Sequence, residues 1–220
     1  MKIIQPSVEV WPFEPEKMLK NIELAGRVCY KSEDKITEDS YIKMVSQLIA
    51  KGHHSVLENE KLTVKFIVDR GVSHEIVRRR IAAYSQESTR YCNYGKQGEV
   101  TFIKPFFFVE NDDNGLYAEW KLTCYTTEAC YLNLLHYGAS PQEARSVLPN
   151  SLKTETVVTY NLREWRHFFT LRCARTAHPQ MKQVAIPLMK YFQSKIPLIF
   201  DHIHYDVDFV HEDYAEIKEV

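Results

Sequence analysis

The stretch "VSHEIVRRRIAAYSQESTRY", Val72–Tyr91, decides how the middle of the chain is built. Its first part reads as a helix running to about Tyr84, with Ser73 as the cap and Val72, Ile76 and Val77 pointing inward. If Val77–Ala83 is helical, Arg78, Arg79 and Arg80 are splayed about 100° apart and cannot all face solvent together. A solvated helix end is the simple reading of three consecutive arginines, but three features count against it. Ile76, Val77, Ile81 and Ala82 bracket the arginines closely, so at least one guanidinium must lie near the core, where it needs an anion. The following "SQESTRY" is rich in short polar groups that suit turns and ligand hydrogen bonds. Arg90 then returns just past that turn, and arginines on either side of a polar loop make a good cradle for a phosphate.

Working outward, "KIIQPSVEVW" reads as a strand and "PEKMLKNIELAGRVCY" as a helix opened by Pro15. "TEDSYIKMVSQLIAKG" fits a second helix, with Thr37 as cap, Ile42, Val45 and Ile49 on one face, and Gly52 as the stop. "KLTVKFIVD" alternates in strand fashion. "EVTFIKPFFFV" is another strand candidate, interrupted by Pro105. The span Asn114–Tyr137 reads as the longest helix, with Leu116, Trp120, Thr127, Tyr131 and Leu134 at helical spacing. A short helix around "SPQEARSVLP", a strand "LKTETVVTY", and helices in "NLREWRHFFTLRCAR" and "PQMKQVAIPLMKYFQSK" complete the pattern. Helices interleaved with a few strands on short connections predict one α/β domain over residues 1–220, of the α+β type. The expected sheet is small and mostly antiparallel.

Composition narrows the function classes. With 28 basic and 29 acidic side chains the net charge is −1, which disfavours a general nucleic-acid binder, since such domains carry a clear basic excess. Five scattered cysteines without a CxxC pair speak against a disulfide framework or zinc knuckle and suit a reducing compartment. No signal-peptide pattern and no run of about eighteen apolar residues is visible, so the expected setting is the cytoplasm.

Other chemistry-bearing residues are spread along the chain. Arg145 adds a cation in "EARSVLP". On a helix from Asn161, Arg163 and His167 are four apart and share a face, and Arg172 lies near Trp165 and Phe168. An amphipathic surface helix explains that segment by itself, whereas arginine beside large aromatics also suits gripping a base. "GHHSVLEN" supplies His53, His54, Ser55 and Glu58, without a third metal ligand at suitable spacing. "FDHIHYDVDFVHED" would place His202, His204, Asp206 and Asp208 on one strand face, as either a solvated terminal strand or a metal-dependent hydrolase site. No glycine-rich phosphate loop occurs among the seven glycines.

Taken together, these residues resemble the flavin-dependent thymidylate synthases, whose signature is Arg-His-Arg, seven residues, then Ser. Here Arg78, Arg79 and Arg80 are followed, after seven residues, by Ser88 and by Thr89-Arg90-Tyr91. "GHHSVLE" (52–58), "ARSVLP" (144–149) and "NLREWRHFFTLRCARTAHPQM" (161–181) match in the same order. One departure is Arg79, which stands where the family pattern has His. Arginine keeps a cation and a stacking plane but cannot relay a proton near neutral pH.

The resemblance implies reductive methylation of dUMP at the uracil C5, with methylenetetrahydrofolate as carbon donor and NADPH-reduced FAD as hydride donor. It also implies a homotetramer with sites shared between subunits. The implied FAD contacts are Ser55, Arg78, Arg79, Arg80 and Gln86, together with Asn161, Leu162, Arg163 and His167. Implied for dUMP are Glu75, Ile76, Val77 and Arg78, the run Gln86, Glu87, Ser88, Thr89 and Arg90, and finally Arg145 and Arg172. Arg172 is the expected stabiliser of charge developing on uracil. Ser88 is expected to orient substrate without forming an adduct, because no histidine base is adjacent in sequence. His53 either contributes near the flavin and folate or caps the preceding helix. A nucleotide- or flavin-binding protein without catalysis is the remaining alternative.

Overall fold

The computed structural model describes residues 1–110 and 113–220. In chain order the strands and helices begin with β1 (Lys2–Ile4), β2 (Ser7–Val10), α1 (Pro15–Tyr30), α2 (Ser40–Ala50), β3 (Lys61–Asp69), α3 (Arg70–Ile76) and β4 (Ala82–Gln86). There follow β5 (Thr101–Ile103), α4 (Leu116–His136), α5 (Pro141–Ala144), β6 (Lys153–Asn161), α6 (Leu162–Arg172), α7 (Pro179–Lys195), α8 (Pro197–Phe200) and β7 (Glu216–Glu219). The result is the mixed α/β architecture that the alternation of patterns predicts. Among the described residues no helix is long and apolar enough to cross a membrane.

Two compact units divide the chain. The first holds Met1–Ser7, Phe66–Arg78 and Ser85–Val157, and the second Val8–Lys65, Arg79–Tyr84 and Val158–Val220. A five-stranded sheet has the order β4-β6-β3-β2-β7. In β6, Thr154, Thr156, Val158 and Tyr160 are buried and the intervening residues are not, the period of two that a strand requires.

In the first unit β1 runs parallel to β5, pairing Ile3 with Phe102. The expected single strand over 2–11 is therefore two strands, split at Gln5-Pro6, because the proline has no N–H to continue a ladder. The core gathers Tyr94, Val100, Phe102, Cys124, Tyr131, Ala144 and Leu152. On α4 the inward residues are Cys124, Glu128 and Tyr131, whereas Leu116 stays exposed at the first turn. The buried Glu128 carboxylate accepts the Val100 N–H at 2.7 Å and pairs with the N-terminal ammonium at 3.0 Å.

In the second unit α1 starts on Pro15 as expected and ends at Lys31, whose φ of 48° reverses the chain. Its buried Met18, Leu19, Ile22 and Gly26 meet Met44, Val45, Leu48 and Ile49 of α2. A Cβ on Gly26 would come within 2.8 Å of Leu48 Cδ1, so glycine permits this close approach. Thr37 does not cap α2. Its N–H donates to Ser40 Oγ and its carbonyl accepts from the same hydroxyl, so these groups are used locally and the helix begins at Ser40. Ile42, in the first turn, is left exposed. Gly52, at φ 73°, is the stop that the sequence predicts.

The opening stretch folds differently from its reading. Asp69, not Ser73, caps α3 by accepting the Val72 N–H at 2.8 Å, and Ser73 is buried with its hydroxyl on the Arg70 carbonyl. The helix stops at Ile76, and β4 replaces its expected continuation. The alanine-rich "IAAY" has helical propensity, but pairing with β6 overrides it. The Tyr84 hydroxyl secures the turn by donating to the Arg79 carbonyl at 2.8 Å, with Tyr160 Oη 3.0 Å away. The C-terminal "FDHIHYDVD" is not a strand either. Asp206 there is buried and accepts from Lys182 Nζ at 2.7 Å.

The densest packing surrounds Trp165, which contacts Tyr160, Phe168, Phe169 and Phe192 at ring-centroid distances of 4.6–5.5 Å. Its indole N–H donates to the Leu62 carbonyl at 3.1 Å. Trp165→Ala should therefore lower unfolding free energy by about 4 kcal/mol, measured by urea denaturation. The hydrogen bond from Lys182 holds the Asp206 carboxyl below its ordinary range. That stabilisation is complete above the unfolded value of about 3.9 and is lost as pH falls through the lower folded value. A Lys182→Met/Asp206→Asn double variant should accordingly show a shallower loss of urea midpoint between about pH 5 and pH 2.5.

Candidate functional site

Helix α6 divides sharply into two faces. Leu162, Trp165, Phe168 and Phe169 are buried, while Arg163, Arg166, His167 and Thr170 lie on the opposite side at spacings of three, four and seven. Asn161 starts the helix by accepting the Glu164 N–H at 2.8 Å. The cationic face lines a cavity of about 520 Å³, a size typical of small-molecule sites. His54, Glu58, Ile81, Asn161, Glu164, His202 and Ile203 complete its wall. Of the residues expected to hold a ligand, it brings together Asn161, Arg163 and His167. Leu162 is fully buried, so only its backbone remains available.

Charge inside this cavity is organised by pairing. Arg163 Nη1 donates to Glu58 at 2.6 Å, and Arg166 Nη1 donates to the Ile199 carbonyl. Burial pulls the Arg166 guanidinium below its usual value. Burial, with Arg166 and Arg163 nearby, also lowers His54, so its imidazole is neutral at pH 7 and offers one donor and one acceptor. Arg79 turns inward: its guanidinium lies 3.9 Å from Glu164, and both side chains are little more than a tenth exposed. Arg78 and Arg80 on either side are exposed. One arginine of the run near the core with an anion is what the flanking apolar residues predict.

A second cavity of about 360 Å³ shares His54 and Arg163 with the first and is also lined by Gly26, Cys29, Tyr30, Leu48, Gly52, His53, Ser55 and Val56. The His53 side chain does not cap α2. Its Nδ1 is hydrogen-bonded to the Tyr30 hydroxyl at 3.0 Å, and its backbone N–H ends the helix on Leu48 O. Arg172, half-buried in the last turn of α6, lines neither cavity.

In the first unit the expected substrate residues form a polar cluster after β4. Gln86 Nε2 donates to Ser73 Oγ at 3.0 Å and to Thr154 Oγ1 at 3.3 Å. Glu87 accepts from the Tyr94 hydroxyl and from Lys153, and burial together with Glu87 pushes the Tyr94 phenol well above its ordinary value. Arg145 Nη1 donates to Thr89 Oγ1 at 3.1 Å. Ser88 Oγ accepts the Arg90 N–H at 3.3 Å, and among the described residues no imidazole is bonded to it. Arg90 and Arg145 have no carboxylate partner among the described residues, leaving two cations beside the Ser88–Thr89 turn for an outside anion. Glu75 and Val77 are half-buried near the end of α3, and Ile76 is fully buried.

Sequence reasoning passed over Glu164, Arg166 and Thr170, weighed His54 and Glu58 for helix-loop hydrogen bonds or a metal, and weighed His202 for a terminal strand or a metal, without placing any of the three at this cavity. The signal for Arg166 and Thr170 was present: with Arg163 and His167 they complete a polar helical stripe. His202 arrives from beyond α8, and its placement depends on tertiary structure. Among the described residues no group of three or more His, Cys, Asp or Glu could hold a metal.

Residues 14–198 match the family model described as "Thymidylate synthase complementing protein". A flavin-dependent thymidylate synthase from Pyrococcus furiosus is 32% identical over 183 residues, covering 80% of this chain and 74% of that protein. The synthase from Mycobacteroides abscessus is 31% identical over 219 residues, covering 90% and 84%. Among solved structures, the UMP/dUMP methylase PolB from Streptomyces cacaoi, bound with 5-Br dUMP, aligns with a TM-score of 0.77. It covers 91% of this chain and 96% of that one at 22% identity, a likeness of fold. With the family match spanning most of the chain and the relatives agreeing in kind, this chain belongs to the flavin-dependent thymidylate synthases.

Proposed function

We propose that this enzyme methylates dUMP at the uracil C5 to give dTMP, drawing the carbon from methylenetetrahydrofolate and the hydride equivalent from NADPH. Its cofactor is FAD, as the family requires. The observation that carries the reading is the cationic face of α6 opening on the 520 Å³ cavity. The donor set fits a dinucleotide: Arg163, Arg166 and His167 offer N–H groups to a diphosphate, and Asn161 and the neutral His54 offer amide and imidazole groups to ribityl or ring atoms. Bound there and reduced, FAD supplies the hydride. The protein's own part is orientation and charge.

The remaining roles follow the sequence expectations. Ser55, Arg163 and His167 hold the flavin, together with Arg78, Arg80 and Gln86. Arg79 contributes through its pairing with Glu164, which keeps Ile81 and the start of β4 against that cavity. Arg90 and Arg145 take the nucleotide phosphate, with Ser88 and Thr89 as hydrogen-bonding neighbours. Arg172 meets the uracil edge where negative charge builds as C5 becomes nucleophilic. Ser88 has no imidazole bonded to it among the described residues and is read as orienting substrate without bonding to it covalently. The active form is a homotetramer whose sites draw on more than one subunit, a reading supported by exposed Leu122 and Tyr125 on α4.

Purified protein should be yellow, with bands that bleach under NADPH and recover in air; a colourless protein that takes up no FAD would overturn the reading. Arg163→Glu should raise the FAD dissociation constant about 10- to 100-fold in a flavin-fluorescence titration, the loss of one charge-assisted hydrogen bond. Arg145→Ala should raise KM for dUMP at least about tenfold with FAD affinity unchanged. Mass spectrometry of Ser88 peptides after turnover should find no nucleotide adduct.

A further inference from the structure

Beyond the two cavities lies a third, about 190 Å³, lined by Arg27, Tyr30, Ser32, Met44, Gln47, Leu48 and Lys51. It adjoins the 360 Å³ cavity through Tyr30 and Leu48, which line both. Each cavity therefore shares lining residues with the next, from the one at Arg166 and His167, through the one at His53, to the one at Lys51. We propose that the outermost chamber receives the carboxylate-bearing glutamyl tail of the folate co-substrate, so that the enzyme selects for polyglutamylated forms. This inference rests on the reading of methylenetetrahydrofolate as the carbon donor.

The charge at the chamber is suited to a carboxylate. Among the described residues no Asp or Glu lines it, whereas Lys51 and Arg27 do. Arg27 uses Nε and Nη2 on the buried Glu23, at 3.0 and 2.8 Å, which fixes the guanidinium in place and leaves Nη1 unused. Ser32 and Gln47 add neutral donors. Helices α1 and α2 both end here, and exposed C-terminal carbonyls would repel an anion. Five of their eight last-turn carbonyls are already taken: Arg27 O by Ser32 N–H, Val28 O by Lys31, Gln47 O by Lys51, Leu48 O by His53 and Ile49 O by Gly52, which lessens that repulsion.

The shape agrees with a ligand that has a planar head and an acidic tail. Tyr30 stands between the two chambers, its hydroxyl on His53, and presents a half-exposed ring against which an aromatic linker can stack. Gly26 lets Leu48 and Met44, which wall the outer chamber, pack directly against α1, since a Cβ there would lie 2.8 Å from Leu48 Cδ1 and 3.1 Å from Met44 Cε.

The test compares mono- and triglutamyl methylenetetrahydrofolate on the FAD-loaded enzyme and on Lys51→Glu, by KM and by equilibrium titration of tetrahydrofolate mono- and triglutamates. Wild type should favour the triglutamate about tenfold in both measurements. Lys51→Glu should reduce that ratio to near one, leaving the monoglutamate KM and the KM for dUMP within about twofold. Equal affinity of wild type for the two forms, or a preference that survives Lys51→Glu, would sink the proposal. If neither folate form binds or turns over, the carbon-donor reading fails and the subsite falls with it. The NADPH-to-NADH preference should be unchanged in Lys51→Glu; a collapse of that preference would assign the chamber to the reductant's phosphate and overturn the glutamyl claim.

Discussion

The rotation of α6 about its own axis is the constraint on which the second unit depends. Two hydrogen bonds set it: Asn161 takes the Glu164 N–H at the start, and Trp165 reaches the Leu62 carbonyl one turn later. With Trp165 locked against Tyr160, Phe168, Phe169 and Phe192, the 3.6-residue repeat leaves Arg163, Arg166, His167 and Thr170 no direction but outward into the cavity. The cationic wall is thus a by-product of aromatic packing. Bringing guanidinium groups together costs electrostatic energy, offset here by Glu58 and by the Ile199 carbonyl.

Arg79 shows how a departure from a family pattern can be absorbed. An arginine in place of histidine adds a permanent charge next to apolar side chains, where an unpaired guanidinium would be costly. Glu164, presented by the first turn of α6, answers that charge, and the Tyr84 hydroxyl holds the Arg79 backbone. The same carboxylate sits where the positive end of the helix dipole favours an acid. Two local requirements, a helix start and a counterion, are met by one residue.

Much of this was legible beforehand because short-range physics governs it. Pro15 and Gly52 mark helix ends through their own backbone preferences, and the aromatic periodicity of Leu162–Phe169 fixes a helix without further information. Arg163 and His167 were placed on one face by counting. The errors fall where distant residues decide. "IAAY" became a strand because β6 was available to pair with it. Thr37 lost its capping role to a loop closed by Ser40, and Asp206 became half of a buried ion pair through Lys182, 24 positions away. His202 had no local mark that it would join a cavity wall.

Gly26 contributes by what it lacks. The place a Cβ would occupy is taken by Leu48 Cδ1 and Met44 Cε, so the spacing of α1 and α2 is tied to a single backbone position. A side chain of even one methyl group there would push apart the helices that end at Tyr30 and Ala50, while every charged and hydrogen-bonding residue stays as it is. A packing constraint of this kind leaves no trace in the polar motifs by which the chain is otherwise recognised.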